Sequence, residues 1–190
     1  MSWAGVPTEL HGKVHGLLDQ FKGMWSGKLG ELKTTTHHIQ LKPDAKPVYS
    51  APYQAGPHRR REIEKQLKKM LDLGVIEPSN VEWFFTMVVM PKPGGQFRFF
   101  VDYRRLNKRT AKDVYPIERM DGCLDSLGDA TVFPILDCNS GYWQIPVAAE
   151  DRDKTTCTSH TGLFRFLRLP FGLVNVPASF QRALDIILSG

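Results

Sequence analysis

The residues best suited to chemistry form one block, Leu136-Asp137-Cys138-Asn139-Ser140-Gly141-Tyr142-Trp143-Gln144-Ile145, in which an apolar run delivers a carboxylate and then turns sharply. A carboxylate at a strand end can hold a divalent cation, and Mg2+ favours hard oxygen ligands while leaving positions for phosphate oxygens. Backbone N–H groups in the turn beyond it would suit the same phosphates. An ordinary Asx-type turn or helix cap fits these residues as well, so the block by itself leaves both readings open. Elsewhere, His11 and His15 have the i, i+4 spacing of some metal sites, but without a third ligand at matching spacing no metal is expected there. Cys123, Cys138 and Cys157 are widely separated and form no Cys-x-x-Cys pair, which supports neither a disulfide framework nor a zinc knuckle.

Several elements must position that block. Residues 1 to 40 read as an arm, with a helical stretch from His15 to Trp25 whose Leu17, Leu18, Phe21 and Trp25 share a face. From Leu41 to Pro57 the prolines at 43, 47, 52 and 57 disfavour helix and impose an extended, wrapping segment. Arg59 to Leu73 is the clearest helix: Ile63, Leu67, Met70 and Leu71 recur at helical spacing, and Gly74 is placed to cap it. Its other face carries Arg60, Arg61, Lys65, Lys68 and Lys69. Phe85 to Met90 and Phe97 to Val101 read as strands of a hairpin turned by Pro91 to Gln96. Later strands are predicted at Val132 to Leu136, Lys154 to Ser159 and Leu163 to Leu167. Pro177 opens a last helix with an apolar stripe of Phe180, Leu184, Ile187 and Leu188. This mixture of hairpins and helices predicts an α+β fold.

Charge is unevenly placed. Pro57 to Lys112 holds 13 Lys/Arg against 6 Asp/Glu, and Asp113 to Asp153 holds 2 against 9, within a chain of net charge +5. Such a split fits a polyanion-binding lobe beside a metal-binding one, and it equally fits two solvated faces. No apolar run reaches membrane-spanning length, and the first residues lack the order of a secretory signal, so an intracellular protein with no membrane partner is expected.

Three blocks in order, PKPGGQFRFFVDYRRLN at 91 to 107, LDCNSGYWQI at 136 to 145 and LPFGLVNVPASFQ at 169 to 181, resemble the reverse transcriptases of Ty3/gypsy-type LTR retrotransposons. The likeness extends upstream through HHIQLKPDAKPV and LDLGVIEPS. It implies a right-hand polymerase fingers and palm fragment: a lead-in at 1–40, fingers at 41–112 and a partial palm at 113–190. By that resemblance Lys92 and Arg98 hold the triphosphate of an incoming dNTP, and Asp102, Arg104 and Asn107 shape the fingers and touch the template. Read from the residues alone, those last three could equally form a strand-end ion pair and turn.

In the palm, the resemblance makes Asp137 the first metal-binding aspartate and Cys138 the neighbour whose carbonyl helps ligate Mg2+. Ser140 and Gly141 would turn their N–H groups to phosphates. Tyr142 would be the aromatic gate against a ribose 2′-OH, a contact built against the wrong substrate. Phe171 and Gly172 would line the nucleotide pocket, backed by Pro177, Phe180 and Gln181, with packing the expected role of Pro177 and Phe180. The implied partners are an RNA/DNA template-primer, dNTP and the remainder of a Pol polyprotein. Family chemistry takes two further aspartates from a Tyr-x-Asp-Asp turn, which these 190 residues do not contain. The chain is therefore expected to be truncated and inactive alone. The alternative is a non-catalytic nucleic-acid-binding module. Pro134, three residues before Asp137, cannot donate to a strand ladder and departs from the family pattern.

Overall fold

The computed structural model describes residues 6–50, 56–91, 97–116, 120–125, 127–133 and 135–189. They fall into two compact units, one of Met1–Gly30 with Ile117–Asn139 and one of Glu31–Pro116 with Ser140–Gly190. This division by compactness cuts across the lead-in, fingers and palm boundaries, which come from the family resemblance.

The larger unit is built on a five-stranded mixed sheet: β1 (Ile76–Ser79), β2 (Phe85–Pro91), β3 (Phe97–Val101), β4 (Cys157–Ser159) and β5 (Gly162–Phe166), in the order β1-β5-β4-β2-β3. β2 and β3 are the expected antiparallel hairpin, with Met87 opposite Val101 and Met90 opposite Arg98. Its tip, including Lys92, lies outside the described residues. β2 also runs parallel to β4, pairing Phe85 with Cys157. The strand expected from Lys154 shortens to β4, because Ala149–Thr155 winds into a 3-10 helix instead. Thr155 and Thr156 hold that turn through hydroxyls donated to the Arg152 and Asp153 carbonyls.

α2 (Pro57–Asp72) starts at its proline, whose missing N–H costs nothing in a first helical turn. It buries Ile63, Leu67 and Met70. Leu71, expected on that face, is instead exposed. Gly74 takes φ +63, the left-handed conformation that ends the helix. The chain reverses there into Val75 and β1, a strand the sequence reading did not separate. Burying each of the large apolar side chains, among them Phe85, Phe166, Leu106, Ile145 and Leu169, contributes roughly 2 kcal/mol by taking its surface out of water. Tyr103 joins them by donating its hydroxyl to the Thr155 carbonyl at 2.7 Å, and its ring meets Phe85 edge-on. A short α3 (Arg104–Asn107) follows directly.

The final helix, α5 (Val176–Leu188), differs from its expected face. It buries Val176, Ala178, Ser179 and Ala183, while Ile187 and Leu188 are exposed. The small residues allow close approach: His37 lies against the helix with Nδ1 2.7 Å from Ser179 Oγ. Pro177, expected to pack, is exposed and serves as a preset first-turn residue.

In the smaller unit, α1 (Thr8–Gln20) begins earlier than the expected helix and gives way to a 3-10 turn at Lys22–Trp25. Its Leu17, Phe21 and Trp25 are about half exposed. α4 (Met120–Asp125) belongs to the same unit. The strand expected from Val132 to Leu136 is absent among the described residues. Val132, Phe133, Ile135 and Leu136 run irregularly and exposed, up to 93% for Ile135. A proline at 134 withholds a ladder N–H, which works against strand pairing there; Pro134 itself lies outside the described residues.

Candidate nucleotide site

Tyr142 is aimed by the turn before it. Ser140 adopts φ 52, a left-handed conformation that a non-glycine residue takes at a cost, and its carbonyl accepts the Trp143 N–H at 2.8 Å. Gly141–Gln144 then forms one 3-10 turn. Beyond it, Ile145 and Val147 exchange backbone hydrogen bonds with Leu169 and Leu167, while His37 pairs with Pro146 and Ala148 on the other side. This ladder brings two distant sequence blocks together. The Tyr142 ring lies 5.0 Å from Phe171 and 5.0 Å from Phe180, the second contact edge-on. Such pairs contribute about 1 kcal/mol each beyond their burial.

Gly172 completes this wall. At φ +97 it sits where a Cβ would meet the Val101 carbonyl at 3.3 Å and the Tyr103 ring at 3.6 Å. Asn107 fixes the segment, donating Nδ2 to the Gly172 carbonyl at 2.8 Å and accepting the Val174 N–H at 2.9 Å. Asn107 was expected at the template, and the structure gives its side chain a structural task as well. Asp102 and Arg104 form a two-pronged ion pair of 2.8 and 2.6 Å, with Arg104 largely exposed. The Arg104 guanidinium holds the Asp102 carboxyl below its usual range. Here the strand-end ion pair is what the geometry displays. Arg98 is exposed on β3 opposite Met90.

Asp137 and Cys138 belong to the smaller unit, and both are exposed. Asn139 beside them donates to the Gly27 carbonyl at 3.1 Å. Ser140, Gly141, Tyr142, Phe171, Gly172, Arg98, Asp102, Arg104 and Asn107 belong to the larger one. As a test of fit, Asp137 offers one exposed hard oxygen donor group and Cys138 a neighbouring carbonyl. They could supply part of a Mg2+ coordination shell, which ordinarily takes one or two carboxylates plus water and phosphate. The three-residue acidic and histidine group among the described residues is elsewhere, at His38, Glu150 and Asp151. There Asp151 is already engaged by Lys154 and by the Ile39 N–H at 2.9 Å.

Sequence reasoning missed Asn175. Its side chain donates to the Ala111 carbonyl at 2.8 Å and accepts the Asp113 N–H at 3.0 Å, tying the start of α5 to the chain after α3. An Asn two residues before a proline that opens a helix was the available signal. Phe180, expected as packing, proves to be the third ring of the Tyr142 cluster.

A family profile described as reverse transcriptase (RNA-dependent DNA polymerase) matches residues 90–190. The Drosophila melanogaster retrovirus-related Pol polyprotein from transposon opus is 42% identical over 182 residues, covering 92% of this chain and 18% of that protein. That from transposon gypsy is 38% identical over 151 residues, covering 76% of this chain and 15% of its own length. The chain thus spans less than a fifth of these curated relatives. Among solved structures, the native prototype foamy virus protease-reverse transcriptase superposes with a TM-score of 0.80 at 24% identity, over 97% of this chain and 25% of that one. A foamy viral protease-reverse transcriptase in complex with RNA/DNA hybrid gives 0.79 at 21%, over 97% and 25%. These likenesses confirm the α+β polymerase fold. The chain belongs to the reverse transcriptase family, with relatives among retrotransposon Pol polyproteins.

Proposed function

We propose that this chain is the nucleotide- and template-holding part of an RNA-directed DNA polymerase that works within a longer Pol polyprotein. The observation that carries the reading is the convergence of Tyr142, Phe171 and Phe180 into one aromatic wall beside the Asn107–Gly172 clamp. On this reading Tyr142 excludes a 2′-hydroxyl from the sugar position, and Phe171 and Gly172 line the nucleotide. Arg98, with Lys92 from the sequence between β2 and β3, takes the triphosphate, for which a forked guanidinium is well matched. Asp137 and the Cys138 carbonyl would contribute to holding Mg2+. When bound, the ion supplies charge stabilisation for phosphoryl transfer.

These 190 residues contain one of the three carboxylates that the family chemistry uses. Purified chain given a primed RNA template, dNTP and Mg2+ is therefore expected to incorporate nothing. Steady incorporation abolished by Asp137→Asn would overturn that expectation.

A second reading, a non-catalytic nucleic-acid-binding module, is favoured by one observation. Arg59, Arg61, Lys65, Lys68 and Lys69 are all exposed along α2, whose buried face is apolar. The two readings part at the nucleotide. Dideoxynucleotide triphosphate stabilising the chain's complex with a primed template supports the polymerase reading, and equal stability with and without it supports the module.

A further inference from the structure

Along β2 and β3 a packed face alternates with an open one. Met87 and Val89 are buried, whereas Met90, on the other face with Val88, is 53% exposed. The register sets Met90 directly opposite Arg98 and Val88 opposite Phe100, so these four side chains share that open face. Directly opposed residues have Cβ atoms about 5 Å apart, well within reach of two long side chains. The pair lies next to the nucleotide wall, because β3 continues from Arg98 to Phe99 and Phe100, which line a hollow with Phe171.

The donors of Arg98 are unused. Arg104, Arg165, Arg168 and Arg182 each close an ion pair. Arg98 is exposed and makes no hydrogen bond or ion pair among the described residues. The Met90 thioether is a weak acceptor and does not compete for this guanidinium. Oxidation to the sulfoxide puts a polar S=O acceptor on the same flexible stem, opposite five N–H donors. A hydrogen bond from a charged donor is of the stronger kind.

We propose that Met90 is a modification site at which a hydroperoxide releases the triphosphate from the grip of Arg98. With hydrogen peroxide, the thioether sulfur attacks one peroxide oxygen, the S–O bond forms as the O–O bond breaks, and the other oxygen takes up a proton and leaves as water. Sulfur gives up two electrons and the peroxide gains them. The sulfoxide oxygen then accepts from the Arg98 guanidinium across the strand pair and holds it away from a triphosphate. The proposal rests on the reading of Arg98 as a triphosphate ligand, and adds a redox control to that site.

The test treats the 190-residue chain with dilute hydrogen peroxide and reads sulfoxide at each methionine by peptide mass mapping. Met90 is expected to oxidise well ahead of Met70 and Met87, which are 1% and 5% exposed. Reaction of Arg98 with phenylglyoxal, mapped in the same way, is then expected to slow about fivefold, the factor that one ordinary hydrogen bond represents. In Met90→Leu, where the exposed Met24 still oxidises, peroxide leaves the Arg98 rate unchanged. In the same samples, dideoxynucleotide triphosphate with Mg2+ slows release of a primed RNA template from the untreated chain. Oxidation removes that gain in the wild type and spares it in Met90→Leu, and methionine sulfoxide reductase with dithiothreitol restores it. An unchanged Arg98 rate, or a nucleotide gain that survives oxidation of Met90, overturns the switch and leaves the polymerase reading standing. A nucleotide that brings no gain even to the untreated chain removes both.

Discussion

The Asn107 side chain grips the loop that carries Phe171 from two points, donating to the Gly172 carbonyl and accepting from the Val174 N–H. It connects α3 with the far side of the nucleotide wall, 65 residues away in sequence. Asn107→Ala removes both bonds and is expected to destabilise the chain by about 1 to 3 kcal/mol. Asn107→Asp keeps the acceptor but sets a carboxylate against a carbonyl oxygen, so it should recover little of the loss. Urea denaturation of the three proteins compares these values, and an Asp variant as stable as wild type would contradict the clamp.

Gly172 is constrained by space as well as by conformation. Gly172→Ala would place a methyl 3.3 Å from the Val101 carbonyl at φ +97. The expected cost is about 1 to 3 kcal/mol, read as a lowered urea midpoint with an unchanged slope. Gly16→Ala, inside α1 with nothing within 4 Å of the added methyl, is the comparison and should cost nothing.

His37 makes stability depend on pH. Its buried ring, beside Ser179, has its pKa lowered from 6.5 to about 4, chiefly because burial disfavours the charged form. The folded state therefore binds fewer protons than the unfolded state between those values. The associated stability is present above the unfolded pKa and is lost as pH falls toward 4, by roughly 3 kcal/mol in all. Urea midpoints measured from pH 7 down to pH 4 should fall steadily. Replacing His37 with Gln should flatten this part of the profile, and an unaltered profile in that variant would contradict the assignment.

The two described thiols should separate chemically. Cys138 is exposed next to Asp137, whereas Cys157 is buried, donates to the Phe164 carbonyl at 3.2 Å and has its thiol pKa pushed up by burial. Brief alkylation of native protein followed by peptide mass mapping should find Cys138 modified and Cys157 protected until urea is added. Prompt modification of Cys157 would contradict its place between β2 and β5.

Much of this was legible beforehand, for reasons that differ by element. α2 could be read because three buried residues at helical spacing and a terminal glycine act locally. The β2–β3 hairpin declared itself through two β-rich runs and the turn residues between them. The segment before Asp137 misled, since Val132, Phe133, Ile135 and Leu136 have strand-forming side chains, yet strand formation depends on a paired neighbour that propensity does not reveal. α5 misled in another way: its large apolar residues suggested the core face, while close approach to His37 selected the small ones. At the site, motif order named Tyr142, Phe171 and Gly172, but the Asn107 grip and the Phe180 contact depend on tertiary distances that no spacing encodes.

The most direct test of the central claim is the dissociation of the chain from a primed RNA template, followed with and without the complementary dideoxynucleotide triphosphate and Mg2+. The account predicts slower dissociation when the nucleotide is present and loss of that gain in Arg98→Ala, whereas salt-steep binding through exposed cations is common to both readings. Dissociation indifferent to the nucleotide would contradict it.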